Sequence, residues 1–248
     1  MARSIAARSA ELALKLQAAG VQAESKADAS PVTIADKECE RLIASSLLEV
    51  FPDDGLLGEE GSAKVSANDR KWIIDPIDGT RDFLRGNPLW SVLIGLEEDG
   101  EMKAGLVHLP LLGQTYFAAR GGGAFVDGTP IRISEITARA EAALSVNGLH
   151  GIDRMPFAPK LTDWMSTFWS VRSLGGTPDA MWLASGKLEV WVEPKVAPWD
   201  VAAAQVILEE AGAVFHDHKG VRTIYSGNAV AYVPALRGAV FELLGLDS

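Results

Sequence analysis

One cysteine, Cys39, stands in the whole 248-residue chain. A single thiol closes no internal disulfide and builds no Cys-rich zinc site, and it points to a reducing, cytoplasmic compartment. Long apolar runs are missing too; none approaches the roughly 18 residues that a bilayer-spanning helix needs. Basic residues are scarce, 23 Lys and Arg against 33 Asp and Glu, which leaves a net charge of −10. That balance argues against a nucleic-acid surface, where phosphates demand clustered positive charge. It does not exclude an anionic small molecule, because a bound metal can supply positive charge locally.

Several phosphotransfer signatures are also absent. There is no G-x-x-x-x-G-K-[ST], hence no P-loop. No arginine follows Cys39 by six residues, so a cysteine-phosphatase loop is lacking. An aspartyl-phosphate enzyme would want D-x-D-G after its strand; here the spacing is D-x-x-D-G, with Pro76 where the nucleophile would belong. No G-x-S-x-G provides a serine nucleophile. The N-terminal stretch MARSIAARSAELALKLQAAG is Ala- and Arg-containing, as targeting peptides are. Glu11 and the spacing of Ile5, Leu12, Leu14 and Leu16 instead predict an ordinary amphipathic helix.

What is present suits a globular protein, with 48% apolar and 23% charged residues. The length fits one large domain or two small ones sharing an interface. Helices are expected over residues 3–19 and Ala35–Val50, separated by a turn at Ser30-Pro31 and Thr33. LLGEEG reads as a short strand ending in two glutamates, and KWIID as the next strand, which Pro76 should terminate. From Trp90 to about Ser134 the pattern is an antiparallel meander, with EEDGE and VDGTP as hairpin turns and Gly121-Gly122-Gly123 as a turn or bulge. After Ser134 strands and helices alternate, with PWDVAAAQVILEEAG the strongest helix. A meander half thus precedes an α/β half, with a seam near residue 135 and expected units 1–135 and 136–248. His216 and His218 could bind metal, but flanking Asp217 and Lys219 favour a polar loop.

Acidic residues cluster at the ends of these elements: Asp36, Glu59 with Glu60, Asp75 with Asp78, and Asp200. Taken singly, Asp200 and Asp36 are candidate helix caps, worth about 1 kcal/mol, and Glu59-Glu60 is a solvated loop. The stretch DPIDGT resists that treatment. Two carboxylates three residues apart on a stiff turn can converge on one point, with the Ile77 carbonyl between them. Hard oxygen ligands of this kind suit Mg²⁺ without His or Cys. Glu59, Asp75, Asp78 and Asp200 together would carry about four negative charges, which two or more Mg²⁺ ions reverse. A phosphate monoester is the natural substrate for such a site, and Gly79 and Thr80 offer backbone N–H groups to its oxygens.

The ordered set SPVTIAD, GEE, WIIDPIDGT, the GGGAF–DG hairpin, RSLGG, PWDVAA and EEAG resembles the inositol monophosphatase family of Mg²⁺-dependent, lithium-sensitive phosphatases, over nearly the whole chain. The resemblance implies an α/β fold of alternating αβαβα layers, two or three Mg²⁺ ions per site, a homodimer, and a small phosphorylated metabolite as substrate. It implies that Glu59, Asp75 and the Ile77 carbonyl hold the first metal, and that Asp75, Asp78 and Asp200 hold the second. Thr80 with Glu59 would orient the attacking water, Asp36 would support the metal loop, and Gly79 and Thr80 would contact phosphate. Substrate contacts are implied for Asp78, Gly175, Gly176, Thr177, Glu193 and Asp200, and the attack is direct and in-line. Histidinol phosphate and myo-inositol monophosphate are the leading substrates, SPVTIAD, FPDDGLLGEE and RDFLRGNPLW favouring the histidinol-phosphatase branch. Bisphosphate-nucleotide and fructose-bisphosphate phosphatases are the alternatives in the family, and a non-catalytic regulator on this fold is the alternative outside it. Two departures stand out: Asp82 replaces the family's usual Asn, and RSLGGTPDA is one residue shorter than the usual loop.

Overall fold

The computed structural model describes residues 1–20, 22–25 and 31–247; Ser30 of the expected turn lies outside them. The chain opens with α1 (Ala2–Gly20), the short pair β1 (Glu24–Ser25) and β2 (Pro31–Val32), and α2 (Ile34–Val50). Next come β3 (Gly55–Gly58), β4 (Ala63–Lys64), β5 (Arg70–Asp78), α3 (Thr80–Arg85), β6 (Ser91–Glu98), β7 (Glu101–Leu109), β8 (Gln114–Ala119), β9 (Ala124–Val126) and β10 (Thr129–Ile131). The remainder is β11 (Ala143–Val146), α4 (Ala158–Met165), β12 (Ser170–Arg172), α5 (Thr177–Ala184), β13 (Val190–Glu193), α6 (Pro198–Glu210), β14 (Val214–His216), β15 (Ala229–Tyr232) and α7 (Arg237–Leu244).

Strands β3 to β10 form an eight-stranded sheet in the order β10-β9-β8-β7-β6-β5-β3-β4. It is antiparallel from β5 to β10, and β3 runs parallel to β5. Strands β11 to β15 form a mixed five-stranded sheet in the order β12-β11-β13-β15-β14. Both expected hairpins form on two-residue turns, Asp99-Gly100 and Asp127-Gly128, with all four residues at positive φ. That geometry matches strand twist and favours Asp-Gly.

The period of two along the strands builds the layers. Trp72, Ile74, Val92 and Ile94 face one way and pack with Ile5, Ile43 and Leu47 of α1 and α2. Ile73 and Leu93 face the other way, onto α5 and α6, where Trp191, Ala229 and Ala231 of the second sheet meet them. Val190, Val192, Val230 and Tyr232 point outward onto α4 and α7. The result is the layered αβαβα arrangement.

Three local expectations are corrected. Pro76 does not end its strand: β5 runs on to Asp78, which pairs with Ser91 after a register irregularity between Asp75 and Asp78. An irregularity of this kind frees the ladder position that proline cannot fill. Asp36 is not the cap of α2; Thr33 is, and Asp36 completes a capping box from the first turn. His216 is not in a polar loop but in β14, buried, with Nδ1 2.6 Å from the Asp217 carbonyl and Nε2 3.0 Å from the Tyr232 hydroxyl.

One contact sets how closely the central helix approaches the first sheet. Gly95 and Gly105 are cross-strand partners, and Ala202 and Ala203 of α6 lie against them. A Cβ built on Gly105 would fall 2.2 Å from the Ala203 backbone oxygen. Neither backbone can yield cheaply there, so Gly105→Ala should cost about 1–3 kcal/mol by overpacking. Gly238→Ala, at a helical position where a Cβ meets nothing within 4 Å, should instead gain up to about 1 kcal/mol. Urea unfolding of both variants checks the contrast; equal stabilities would refute the close-approach account.

Candidate active site

The irregular end of β5 organises the site. Asp75 is 1% exposed, and its Oδ1 accepts the Ile77 N–H at 3.0 Å. Asp78 Oδ2 accepts the Ser91 hydroxyl at 3.1 Å, and the Thr177 side chain also hydrogen-bonds this carboxylate. Gly79 then turns the chain at φ 84° into α3, a conformation costly for any residue with a Cβ. Asp200 arrives from the other half of the chain, in the first turn of α6. Its Oδ2 accepts the Ala197 N–H at 2.7 Å, so the capping role expected of it is real. Asp75, Asp78 and Asp200 each offer an oxygen within 4.8 Å of the other two.

Glu59 joins them from the loop after β3, hydrogen-bonded to Asp75. Its loop is held from beneath by Glu40, which is 2% exposed. Glu40 accepts the Glu60 N–H at 2.6 Å and the Ser62 N–H at 2.7 Å. Thr80 sits at the start of α3, its hydroxyl 3.3 Å from the Ile77 carbonyl and 3.4 Å from Asp36 Oδ1. Asp36 is fully buried and does not reach the cavity; it stands behind Thr80, held by the Thr33 N–H and hydroxyl at 2.8 and 2.6 Å.

Glu59, Asp75, Ile77, Asp78, Gly79, Thr80 and Asp200 line one side of a cavity of about 540 Å³. Its far wall comes from Asn147 to His150, Ser173 to Gly176, and Glu193. Glu193 Oε1 accepts the Asn147 amide at 2.7 Å. Thr177, expected to touch substrate, is 2% exposed and lies outside the cavity lining. Fully buried Asp179 holds the far wall: its Oδ2 takes N–H groups from Leu174 and Gly175 and side-chain protons from Ser145 and Asn147.

Burial first, and concentrated negative charge after it, distort the titration of the floor. Burial, then the charges of Glu59, Asp78 and Asp200, push Asp75 well above the usual carboxylate range. Burial lifts Asp78 to about 6, against the Thr177 and Ser91 hydrogen bonds. Burial and the Asp78 charge lift Asp200 to about 7. Glu193 is raised well above its ordinary value, mainly by burial. Carboxylates this close and this desolvated ionise together only beside a cation. The donor set is entirely hard oxygen, with the Ile77 carbonyl alongside, which fits a divalent metal of the Mg²⁺ type.

Sequence reasoning located every floor residue but missed Glu40, Ser91, Asn147 and Asp179. Glu40 did leave a signal. It lies on the same helix face as Ile43, Ala44 and Leu47, all buried, and an acid within an apolar stripe needs a polar partner.

Comparison with known proteins agrees with this geometry. The sequence matches the inositol monophosphatase family profile over residues 1–242. It is 40% identical over 219 residues to a histidinol-phosphatase of Chlorobaculum parvum, covering 85% of this chain and 81% of that protein. It is 36% identical over 237 residues to a histidinol-phosphatase of Mycobacterium tuberculosis, covering 93% and 91%. An IMPase structure from Thermotoga maritima superimposes with a TM-score of 0.88 at 31% identity, covering 98% of this chain and 94% of that one. With a match running nearly end to end, the chain belongs to the inositol monophosphatase family.

Proposed function

We propose that the protein is a Mg²⁺-dependent phosphatase of a small phosphate monoester, with histidinol phosphate the leading substrate. The observation that carries this reading is the convergence of Asp75, Asp78 and Asp200 within 4.8 Å on the floor of an open cavity. Glu59, Asp75 and the Ile77 carbonyl would hold one metal ion, and Asp75, Asp78 and Asp200 a second. Bound there, the ions would acidify a water and neutralise charge on the phosphoryl group and the leaving oxygen.

The chain's own groups do the positioning. Thr80 has one hydroxyl proton and two acceptors in reach, Asp36 and the Ile77 carbonyl. With the proton directed to Asp36, the Thr80 oxygen is left to accept an O–H from the attacking water, and Glu59 accepts the other. Gly79 and Thr80 present backbone N–H groups to the phosphate. Glu193, with Gly175 and Gly176, faces the leaving group. Water attacks phosphorus in line; the P–O bond to the alcohol breaks, giving alcohol and inorganic phosphate with no phosphoenzyme. The two histidinol-phosphatase relatives support the first substrate; the IMPase structure supports myo-inositol monophosphate as the second reading. A homodimer and a reducing, cytoplasmic location complete the proposal, the latter supported by the buried free thiol of Cys39.

Phosphate release from histidinol phosphate, inositol 1-phosphate, fructose 1,6-bisphosphate and adenosine 3′,5′-bisphosphate decides the reading. Activity should need Mg²⁺, vanish in EDTA and fall with Li⁺. No release from any of them would sink the proposal. Asp78→Asn should lower turnover by more than the roughly 10–100-fold that loss of an outer-shell partner costs, while the fold persists; retained activity would remove Asp78 from the metal site.

The pH dependence of folding has a definite sign. Asp75, Asp78 and Asp200 are all harder to ionise folded than unfolded. In EDTA, stability should therefore fall as pH climbs from about 4, where unfolded carboxylates ionise, through the range of about 6 to 7 where Asp78 and Asp200 do. Melting temperatures from pH 4 to 8 test this: the fall should be shallower in Asp78→Asn and offset by Mg²⁺. Identical pH slopes for wild type and variant would contradict it.

A further inference from the structure

We propose that Asp82 is a specificity residue that selects substrates whose leaving alcohol carries a positive charge. The inference rests on the phosphatase reading above and concerns the same cavity. Asp82 lies in the first turn of α3, on the cavity wall. It is not one of the three converging carboxylates. It does not cap its helix, since no side-chain hydrogen bond closes that N-terminus. Instead Oδ1 is held by the Asn87 side-chain amide at 2.7 Å, while the Asp82 carbonyl takes the Asn87 N–H at 2.9 Å. Asn87 thus fixes the carboxylate and leaves Oδ2 for another partner.

That free oxygen faces Gly175. A Cβ on Gly175 would lie 3.7 Å from Asp82 Oδ2, and one on Gly176 would lie 3.8 Å from Glu193 Oε1. The two glycines therefore form a bare strip between two carboxyl groups, and the space that side chains would fill is open to a ligand. Arg81 also lines the cavity and is exposed, yet among the described residues no ion pair joins it to Asp82.

Charge bookkeeping then favours a cationic ligand. Two divalent ions balance Glu59, Asp75, Asp78 and Asp200. A phosphate dianion adds two negative charges, Asp82 adds a third, and Arg81 offsets one. Two negative charges remain in excess, which an uncharged alcohol does nothing to offset, whereas an ammonium group on the alcohol meets Asp82 directly. Exposed Leu149 and Leu174 on the same rim suit an apolar or aromatic body better than a polyol. The matching class is an amino-alcohol phosphate with a flat side group.

The test uses a matched pair, histidinol phosphate and its deamino analogue, 3-(imidazol-4-yl)propyl phosphate, at pH 8 where imidazole is neutral. Wild type should prefer the amine in kcat/KM by about tenfold, between what a fully exposed and a desolvated charge pair supply. Asp82→Asn and Asp82→Ser should remove that preference through KM, and Asp82→Glu should keep part of it. Calorimetry with Ca²⁺ replacing Mg²⁺ reads binding of the same pair without turnover, and the difference between the two ligands should collapse in the same variants. No wild-type preference by either method, or an equal loss on both ligands in folded variants, would overturn the assignment. Absence of turnover in wild type, with the binding preference intact, would sink the phosphatase reading and leave this one standing.

Discussion

Mutual repulsion among buried carboxylates is the constraint around which this molecule is built. Asp75, Asp78 and Asp200 come within 4.8 Å of one another, and each is pushed toward its neutral form. Left to themselves such groups would swing apart into water. The fold prevents this by seating them on elements packed from both sides: the irregular end of central strand β5 and the first turn of α6. The flat contact of Gly95 and Gly105 with Ala202 and Ala203 lets that helix lie close on the sheet, and so delivers Asp200 to the end of β5.

Each carboxylate is also tethered by hydrogen bonds from outside the floor. Asp75 accepts the Ile77 N–H, Asp200 the Ala197 N–H, and Asp78 the Ser91 hydroxyl. Tethers of this kind narrow the rotamers open to each carboxylate. This arrangement lowers the reorganisation needed when a cation binds, because the electrostatic cost of assembling the site is met during folding. It also explains why Ser91 and Glu40 matter although neither touches the cavity: one aims a carboxylate, the other shapes the loop that presents Glu59.

Much of this was legible in the sequence, and the parts that were not share a cause. The strand before DPIDGT, the hairpin turns and the acidic floor follow from local pattern and chemistry. The first turn of a helix is where local pattern misleads. Asp36, Asp82, Asp179 and Asp200 all occupy the third position of a helix, in α2, α3, α5 and α6. A capping role is the bland explanation for each; Asp36 and Asp200 fill it from the first turn, each accepting the N–H of the true N-cap residue, Thr33 or Ala197. Asp179 instead gathers four protons from Ser145, Asn147, Leu174 and Gly175, and Asp82 turns to Asn87. Spacing within one helix cannot report partners 32 to 34 residues away in the chain. Pro76 is the complementary case: its missing N–H ended the strand on paper, while the register irregularity absorbs it in the sheet.

The two sides of the cavity are built differently, and this bears on how such a site diversifies. The carboxylate floor rests on strand β5 and helix α6, where a shifted backbone would disturb the αβαβα packing on both sides of the central layer. The opposite side is loop and the start of a 3-10 helix, residues 147–150 and 173–176, with Asn147, Leu174 and Gly175 tied to the single carboxylate of Asp179. Loop residues such as Leu149, Leu174 and Ser173 are exposed, so changing them alters what the leaving group meets and costs the core little. Asp82 belongs structurally to the rigid side, through α3, but faces the loop side across Gly175. It can therefore change the charge presented to the cavity without moving the carboxylates of the floor, and its charge still reaches Asp78. On the proposed assignment, selectivity would be set beside the acidic floor and not within it, on a scaffold that otherwise keeps the two apart.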